Sequence, residues 1–481
     1  MAAAPGRSRI VPLIVACALF MENLDSTVIA TALPTMARSL GTDPLHLSTA
    51  ITAYLLSLAV FIPLSGWMAD RFGARAVFRS AILVFTLGSA LCGLAQSLPE
   101  LVGARIVQGM GGAMMTPVGR LVLLRSIPKA ELVGAMAWLT VPALVGPVLG
   151  PPLGGFIVTY ASWRWIFYIN LPIGLLGFFL ASRYIPDVRE PATPPLDLVG
   201  FIMLGAALSG LMFGFESLGR GGLPAWTVPA LLGGGALALA AYVFHARRAA
   251  HPILQWAPMR VRTFSTSVLG GSLFRIGIGA QPFLLPLMLQ AGFGLSALSS
   301  GLITFAGALG AIGMKLAASR VLRRFGFKPV LLLNGAISAC FLASFGLFGP
   351  TTPAALMLSV LLASGFFRSL QFTALNTLAF ADMPKELMSR ATSFSAVAQQ
   401  MSLTMGVGVG AMVLHLARVN AGREELAATD FWPAFLAVGV VSLLSVPTFL
   451  SLPRDAGAEV SGHAGTRAEV TDKTRAAAEA D

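Results

Sequence analysis

Arg71-Phe72-Gly73-Ala74-Arg75-Ala76-Val77 separates two apolar blocks of this sequence, and Arg324-Phe325-Gly326-Phe327-Lys328-Pro329-Val330 separates two others. Both stretches read R-F-G-x-basic-x-V, and each follows a long apolar run. A pattern that returns with the same chemistry at the same kind of junction marks equivalent loops of two repeated halves. Counting apolar blocks around each loop gives six per half, with two further blocks between the halves.

The blocks are long enough to cross a bilayer, which takes about 20 residues per helix. They run 10–33, 48–68, 76–95, 100–124, 133–158, 164–184, 197–216, 226–246, 264–289, 297–318, 329–348, 354–380, 391–416 and 431–452. In lipid the backbone must satisfy its own hydrogen bonds, so each block is a helix unless the chain closes a barrel. No block alternates polar and apolar residues as barrel strands do. Composition agrees: 56% of the 481 residues are hydrophobic and 11% charged, against about 25% charged in a soluble domain. The fold expected is an all-α polytopic membrane protein with fourteen transmembrane helices.

The net charge of +12 does not indicate nucleic acid, because the basic residues sit in short clusters between apolar blocks. Arg71, Arg75, Arg79, Arg247, Arg248, Arg260, Arg262, Arg320, Arg323, Arg324 and Lys328 fall on one side of the alternating loops. Arg38, Arg164, Arg220, Arg418 and Arg423 are the basic residues of the other side. The positive-inside rule then places both termini in the cytoplasm of an inner (plasma) membrane protein. Asp25 and Pro34 stand where a signal-peptide cleavage site would follow Ile10–Phe20, so the first block reads as a retained helix. Cys17, Cys92 and Cys340 each lie inside an apolar block and build neither a disulfide framework nor a metal site. The expected organisation is a six-helix bundle over 1–190, two linker helices over 191–260, a second bundle over 261–453 and a disordered cytoplasmic tail over 454–481.

Four stretches narrow the class. They are Leu24-Asp25-Ser26-Thr27-Val28-Ile29-Ala30-Thr31-Ala32-Leu33-Pro34, then Gly66-Trp67-Met68-Ala69-Asp70-Arg71-Phe72-Gly73-Ala74-Arg75, then Arg105-Ile106-Val107-Gln108-Gly109, then Gly146-Pro147-Val148-Leu149-Gly150-Pro151-Pro152-Leu153-Gly154-Gly155. Trp163-Arg164-Trp165 and Asn170-Leu171-Pro172 follow the last. In this order the sequence resembles the fourteen-helix drug:proton antiporters of the major facilitator superfamily, of the EmrB and QacA type and its MdtD-like branch. The resemblance covers nearly the whole chain apart from the tail. It implies alternating access in a proton-coupled antiporter that exports a small molecule, with protons as coupling ion and no other cofactor. It also implies a cytoplasmic gate at Gly66, Asp70, Arg71, Gly73 and Arg75, with Asp70 locking the halves in one access state. Gly146, Pro147, Gly150, Pro151, Gly154 and Gly155 would be the antiporter motif.

The residues argue beside the resemblance. An ionised Asp25 inside an apolar helix costs roughly 2.5–3.5 kcal/mol on the lenient insertion scale, so it needs a partner, a proton or water. Arg105 stands at a similar depth in another helix. A carboxylate alternating between an arginine and a proton couples proton movement to conformation; the alternative is a lock between two helices. Glu22, three residues before Asp25, shares its face and is either a second proton site or a solvated cavity residue. Glycines at 146, 150 and 154 let another helix approach closely, and Pro147, Pro151 and Pro152 should bend their helix.

Between Glu216 and Asp382 there is no acidic residue, yet Arg275 and Arg368 lie mid-helix in that stretch and Lys315 lies near a helix end. Lys315 can snorkel to the surface; the arginines are too deep. They pair with Glu22 or Asp25 across a cleft, bind backbone carbonyls, or hold an anionic substrate with Gln371 and Asn376 adding hydrogen bonds. The substrate expected is therefore an organic anion or an anionic chelate. An uptake symporter for organic anions and a cationic or lipophilic multidrug pump are the competing transport readings. A membrane enzyme is disfavoured: there is no HExxH, no phosphate-binding GK[ST] loop and no Gly-Lys dipeptide, so ATP is not the driver. The expected partners are substrate, protons and lipid, with a monomer as the unit.

Overall fold

The computed structural model describes residues 7–126, 145–146, 149–186, 195–217, 224, 226–384, 387–423 and 425–461. The first half contains α1 (Arg7–Ser39), α2 (Ser48–Phe72), α3 (Ala74–Leu94), α4 (Leu98–Ser126), α5 (149–160), the short α6 (Trp165–Tyr168) and α7 (Asn170–Tyr184). Two helices follow, α8 (Leu198–Ser217) and α9 (Thr227–Ala246). The second half contains α10 (Arg262–Leu287), α11 (Ala297–Phe325), α12 (Phe327–Ser344), α13 (Ala354–Ala381), α14 (Met388–Asn420), α15 (Phe431–Leu443) and the short α16 (Val446–Phe449), before a last turn, α17 (Ala458–Ser461). Among the described residues there is no strand.

Twelve helices among the described residues are long and apolar enough to cross a membrane. The 29-residue α4 is not one of the twelve; it carries Glu100, Arg105, Gln108 and Arg120. Most of the expected span at 133–158 lies outside the described residues, as does the expected tail beyond 461.

The repeated loops have one physical cause. Gly73 adopts φ +92° and Gly326 φ +74°, backbone that favours glycine. Each ends one helix and starts the next, with its N–H on the carbonyl of Ala69 (3.0 Å) or Leu322 (2.9 Å). Gly66, by contrast, lies inside α2, and nothing among the described residues comes within 4 Å of the Cβ it lacks.

In the first half α4 packs along α2 and α3, and α7 packs along α1 and α3; in the second, α13 packs along α11 and α12, and α10 along α14 and α15. The pair α8–α9 is fastened to both halves, because α8 lies against α2 and α14. The halves meet where α2 packs on α14 and α1 on α10 and α11. At the end carrying Leu45, Leu101, Leu287 and Phe431, both halves contribute to one buried cluster. Near the R-F-G loops each half has its own, around Phe78 in one and around Phe327 in the other. Lipid offers no hydrophobic drive between helices, so such contacts depend on small residues that admit close approach. Gly365 packs against the Gly307 backbone of α11, and Gly111 against Phe85 and Ala81 of α3.

Two helix ends depart from the sequence expectation. α1 continues through Pro34 to Ser39 instead of stopping at 33. Proline removes the backbone donor that would serve the Ala30 carbonyl; one residue on, the Thr31 carbonyl accepts from Gln290 Nε2 at 3.0 Å. The last span, expected as one helix over 431–452, is interrupted between α15 and α16, just ahead of Pro447.

Candidate functional site

Asp25 is buried on α1, and its carboxylate receives three donors. Arg105 Nη1 of α4 lies 2.6 Å from Oδ2, Gln108 Nε2 of α4 lies 2.8 Å from Oδ1, and Asn170 Nδ2 of α7 lies 3.1 Å from Oδ1. Arg105 and Gln108 share a face of α4 because they are three residues apart, and Arg105 Nη1 also donates to Gln108 Oε1 at 2.7 Å. The guanidinium stacks on Tyr54 of α2, its Cζ 4.1 Å from the ring centroid, a favourable cation–π placement. Its Nε donates to the Ala50 carbonyl at 3.4 Å. The sequence reading brought Asp25 and Arg105 to one depth; the structure joins them and adds Gln108, Asn170, Ser89 and Tyr54. Gln108 was readable from its spacing. Asn170, 145 residues from Asp25 in the chain, was not.

Glu22, on the same face of α1 and partly exposed, accepts a hydrogen bond from Thr116 Oγ1 of α4 at 2.9 Å. The opposite face of α1 packs against α5 and the segment before it. A Cβ on Gly146 would lie 2.9 Å from Asn23 Cβ, one on Gly150 would overlap Thr27 Oγ1, and one on Gly154 would overlap Thr31 Oγ1. Glycines four residues apart thus meet α1 residues four apart. Gly155 faces the other way, where a Cβ would lie 2.5 Å from the Ala297 carbonyl oxygen of α11, and the Pro151 carbonyl meets Gly301. Pro147 lies outside the described residues.

In the second half two deep arginines stand without acidic partners among the described residues. Arg275 of α10 is buried; its Nη2 donates to Asn376 Oδ1 of α13 at 2.8 Å, and its Nε has no partner. Arg368 Nη1 of α13 donates to Gln281 Oε1 of α10 at 2.6 Å. Neither arginine makes an ion pair among the described residues, so neither reaches Glu22 or Asp25. Lys315 is exposed, as snorkelling requires. Gln371 corrects the expectation of a substrate ligand. It is fully buried between α12 and α13, accepting from Asn334 Nδ2 at 2.9 Å and donating to the Leu331 carbonyl at 3.1 Å. Gln281, which sequence reading missed, stands by Arg368 instead.

At the end where the halves share a core, Arg418 of α14 pairs with Asp43 of the α1–α2 loop, and Asp43 Oδ1 accepts from Leu45 N at 2.8 Å. At the other end, Asp70 and Arg75 are both engaged rather than free, and Arg71 is exposed.

The profile of the Major Facilitator Superfamily matches residues 15–407. A protein of Salmonella typhimurium named for multidrug resistance, MdtD, is 39% identical over 451 residues, covering 92% of this chain and 94% of that one. Its counterpart in Salmonella paratyphi A is 38% identical over the same shares. Among solved structures, a D-xylose-proton symporter superposes with TM-score 0.66 at 16% identity, over 93% of this chain and 98% of that one. A POT family transporter superposes with TM-score 0.66 at 15% identity, over 91% and 95%. Two helical halves of this fold, a profile match across most of the length and relatives matched nearly end to end lead to one conclusion: the chain belongs to the Major Facilitator Superfamily.

Proposed function

We propose that this chain is a proton-coupled antiporter of the inner membrane that exports a small organic anion by alternating access. The observation that carries the reading is the division of charge between the halves. A buried carboxylate, Asp25, is held by an arginine in one half, and Arg275 and Arg368 stand without acids in the other. A guanidinium is a planar fork of donors suited to a carboxylate or phosphate. Protonating Asp25 weakens its hold on Arg105 and changes the α1–α4 contact, which ties proton binding to helix packing. The likeness to proteins named for multidrug resistance supports export as the direction.

In this reading the chain crosses the membrane fourteen times, α4 and the span at 133–158 being added to the twelve, with both termini cytoplasmic. The bundles are residues 1–190 and 261–453, the linker pair lies within 191–260, and a monomer is the working unit. Asp70 with Arg71, Gly73 and Arg75 forms the cytoplasmic gate, and Glu22 is a second proton site. The cluster around Leu45, Leu101, Leu287 and Phe431 closes the outer end in this reading.

Reconstituted vesicles with an imposed pH gradient test this directly. Organic anions should accumulate against their gradient and lipophilic cations should not. Arg275→Gln and Arg368→Gln should each weaken anion binding about tenfold or more, the scale of one charged hydrogen bond. Transport of lipophilic cations alone, or wild-type anion affinity in both variants, would overturn the anion reading.

A further inference from the structure

Every hydrogen bond to the Asp25 carboxyl group in this structure comes from a donor: Arg105 Nη1, Gln108 Nε2 and Asn170 Nδ2. Such a shell fits the ionised acid. It fits the neutral acid poorly, because a protonated carboxyl has an O–H that needs an acceptor. A guanidinium has none to offer. The Gln108 carbonyl is taken by Arg105 Nη1 at 2.7 Å and by the Cys92 thiol at 3.5 Å. The Tyr54 hydroxyl, buried without a partner, is 3.1 Å from where a Cβ on Gly112 would stand, one helical turn along α4 from Gln108.

Asn170 is different. Its Nδ2 touches both Asp25 Oδ1 (3.1 Å) and Ser89 Oγ (3.0 Å), and its Oδ1 is buried with no hydrogen-bond partner at all. A buried amide oxygen left bare is costly and calls for a physical explanation. The last torsion of asparagine is broad and roughly two-fold, so a half-turn exchanges the two amide atoms in place. The Ser89 hydroxyl, now donating to the Phe167 carbonyl at 2.9 Å, is a rotor that serves as acceptor before the turn and as donor after it.

We infer that Asn170 is a switchable positioning residue for Asp25: its amide donates Nδ2 to the carboxylate and, after a half-turn, offers Oδ1 to the O–H of the protonated acid. One proton arrives and one O–H bond forms; the ion pair with Arg105 becomes a bond between a cation and a neutral acid. In either protonation state the Asp25 carboxyl group then meets a matching atom of the Asn170 amide. The groups facing Asp25 are Arg105 and Gln108 from α4, Tyr54 from α2, Cys92 from α3 and Asn170 from α7, with Glu22 on its own helix. Since Asn170 also holds Ser89, the turn carries the protonation of α1 to α3 and α7. The inference rests on Asp25 as the coupling carboxyl.

pH-difference infrared spectra of the purified full chain test both without a substrate. The wild-type carboxyl C=O band should sit at a hydrogen-bonded frequency and vanish in Asp25→Asn. In Asn170→Leu it should shift upward, to the position of a carboxyl with no acceptor. In Asn170→Ser, which keeps a hydroxyl able to donate or accept, it should stay with the wild type. An unmoved band in the leucine variant, or an upward shift in the serine variant equal to that of leucine, overturns the switch. A band that survives Asp25→Asn overturns the assignment of Asp25 itself.

Discussion

Arg105 is the most demanding side chain in the molecule. It is a fully buried cation whose Nη1 is shared by Asp25 and Gln108, whose Nε serves the Ala50 carbonyl and whose plane lies on Tyr54. Removing one member of a buried ion pair leaves the other charge uncompensated, at a cost of roughly 3–5 kcal/mol. Arg105→Ala and Asp25→Asn should therefore each lower the melting temperature of the purified protein markedly. The double variant Asp25→Asn/Arg105→Gln should recover part of the loss. Unchanged melting in both single variants would mean that water reaches the pair and the site is not dry. Asp25→Asn should also abolish pH-driven accumulation in vesicles, and full retention of coupling would exclude Asp25 as the proton carrier.

The contact between α1 and the glycine-rich segment from Gly146 to Gly154 is a matching of periods. Glycines 146, 150 and 154 face Asn23, Thr27 and Thr31, so two helices share a seam that repeats every four residues. The seam lies behind the face of α1 that carries Glu22 and Asp25, and it sets how firmly that face is pressed toward α4. A methyl group at Gly150 would lie 2.7 Å from Thr27 Cβ as well as overlapping its hydroxyl, and overpacking of this kind costs about 1–3 kcal/mol. Gly150→Ala should lower the melting temperature, and Thr27→Gly in the same chain should restore much of it. No restoration would show that the α1 contact is not what excludes a side chain there. The spacing of these glycines was legible in the sequence. Their partner was not, because a stripe of small residues states that something approaches and leaves open what.

Across the whole molecule, polar ties as well as apolar packing hold the two halves. Arg418 to Asp43 and Gln290 to Thr31 cross between them at the end where the buried cluster is shared. Opening that end must break both. Asp43→Asn weakens the first and should raise the reactivity of a cysteine placed at Val28 toward a membrane-impermeant thiol reagent, in a background with Cys17, Cys92 and Cys340 replaced. Val28 is buried in the shared cluster, so labelling there reads separation of the halves. Unchanged labelling would mean that apolar packing alone holds that end shut.

The amino-acid sequence by itself determined the helical membrane fold, the two-fold repeat and the depth of Asp25 and Arg105. Those follow from length, period and the cost of charge in lipid, which are properties of each segment alone. It also exposed the one-sided charge of the second half, since absence of acid over 165 residues needs no coordinates to see. The tertiary structure alone decided the partners. It put Asn170 on Asp25, sent Gln371 into the α12–α13 contact and paired Arg368 with Gln281. Each of these is a contact between different helices, set by which face of one packs on another. A hydrogen bond between such faces has no periodicity in the sequence from which it could be read.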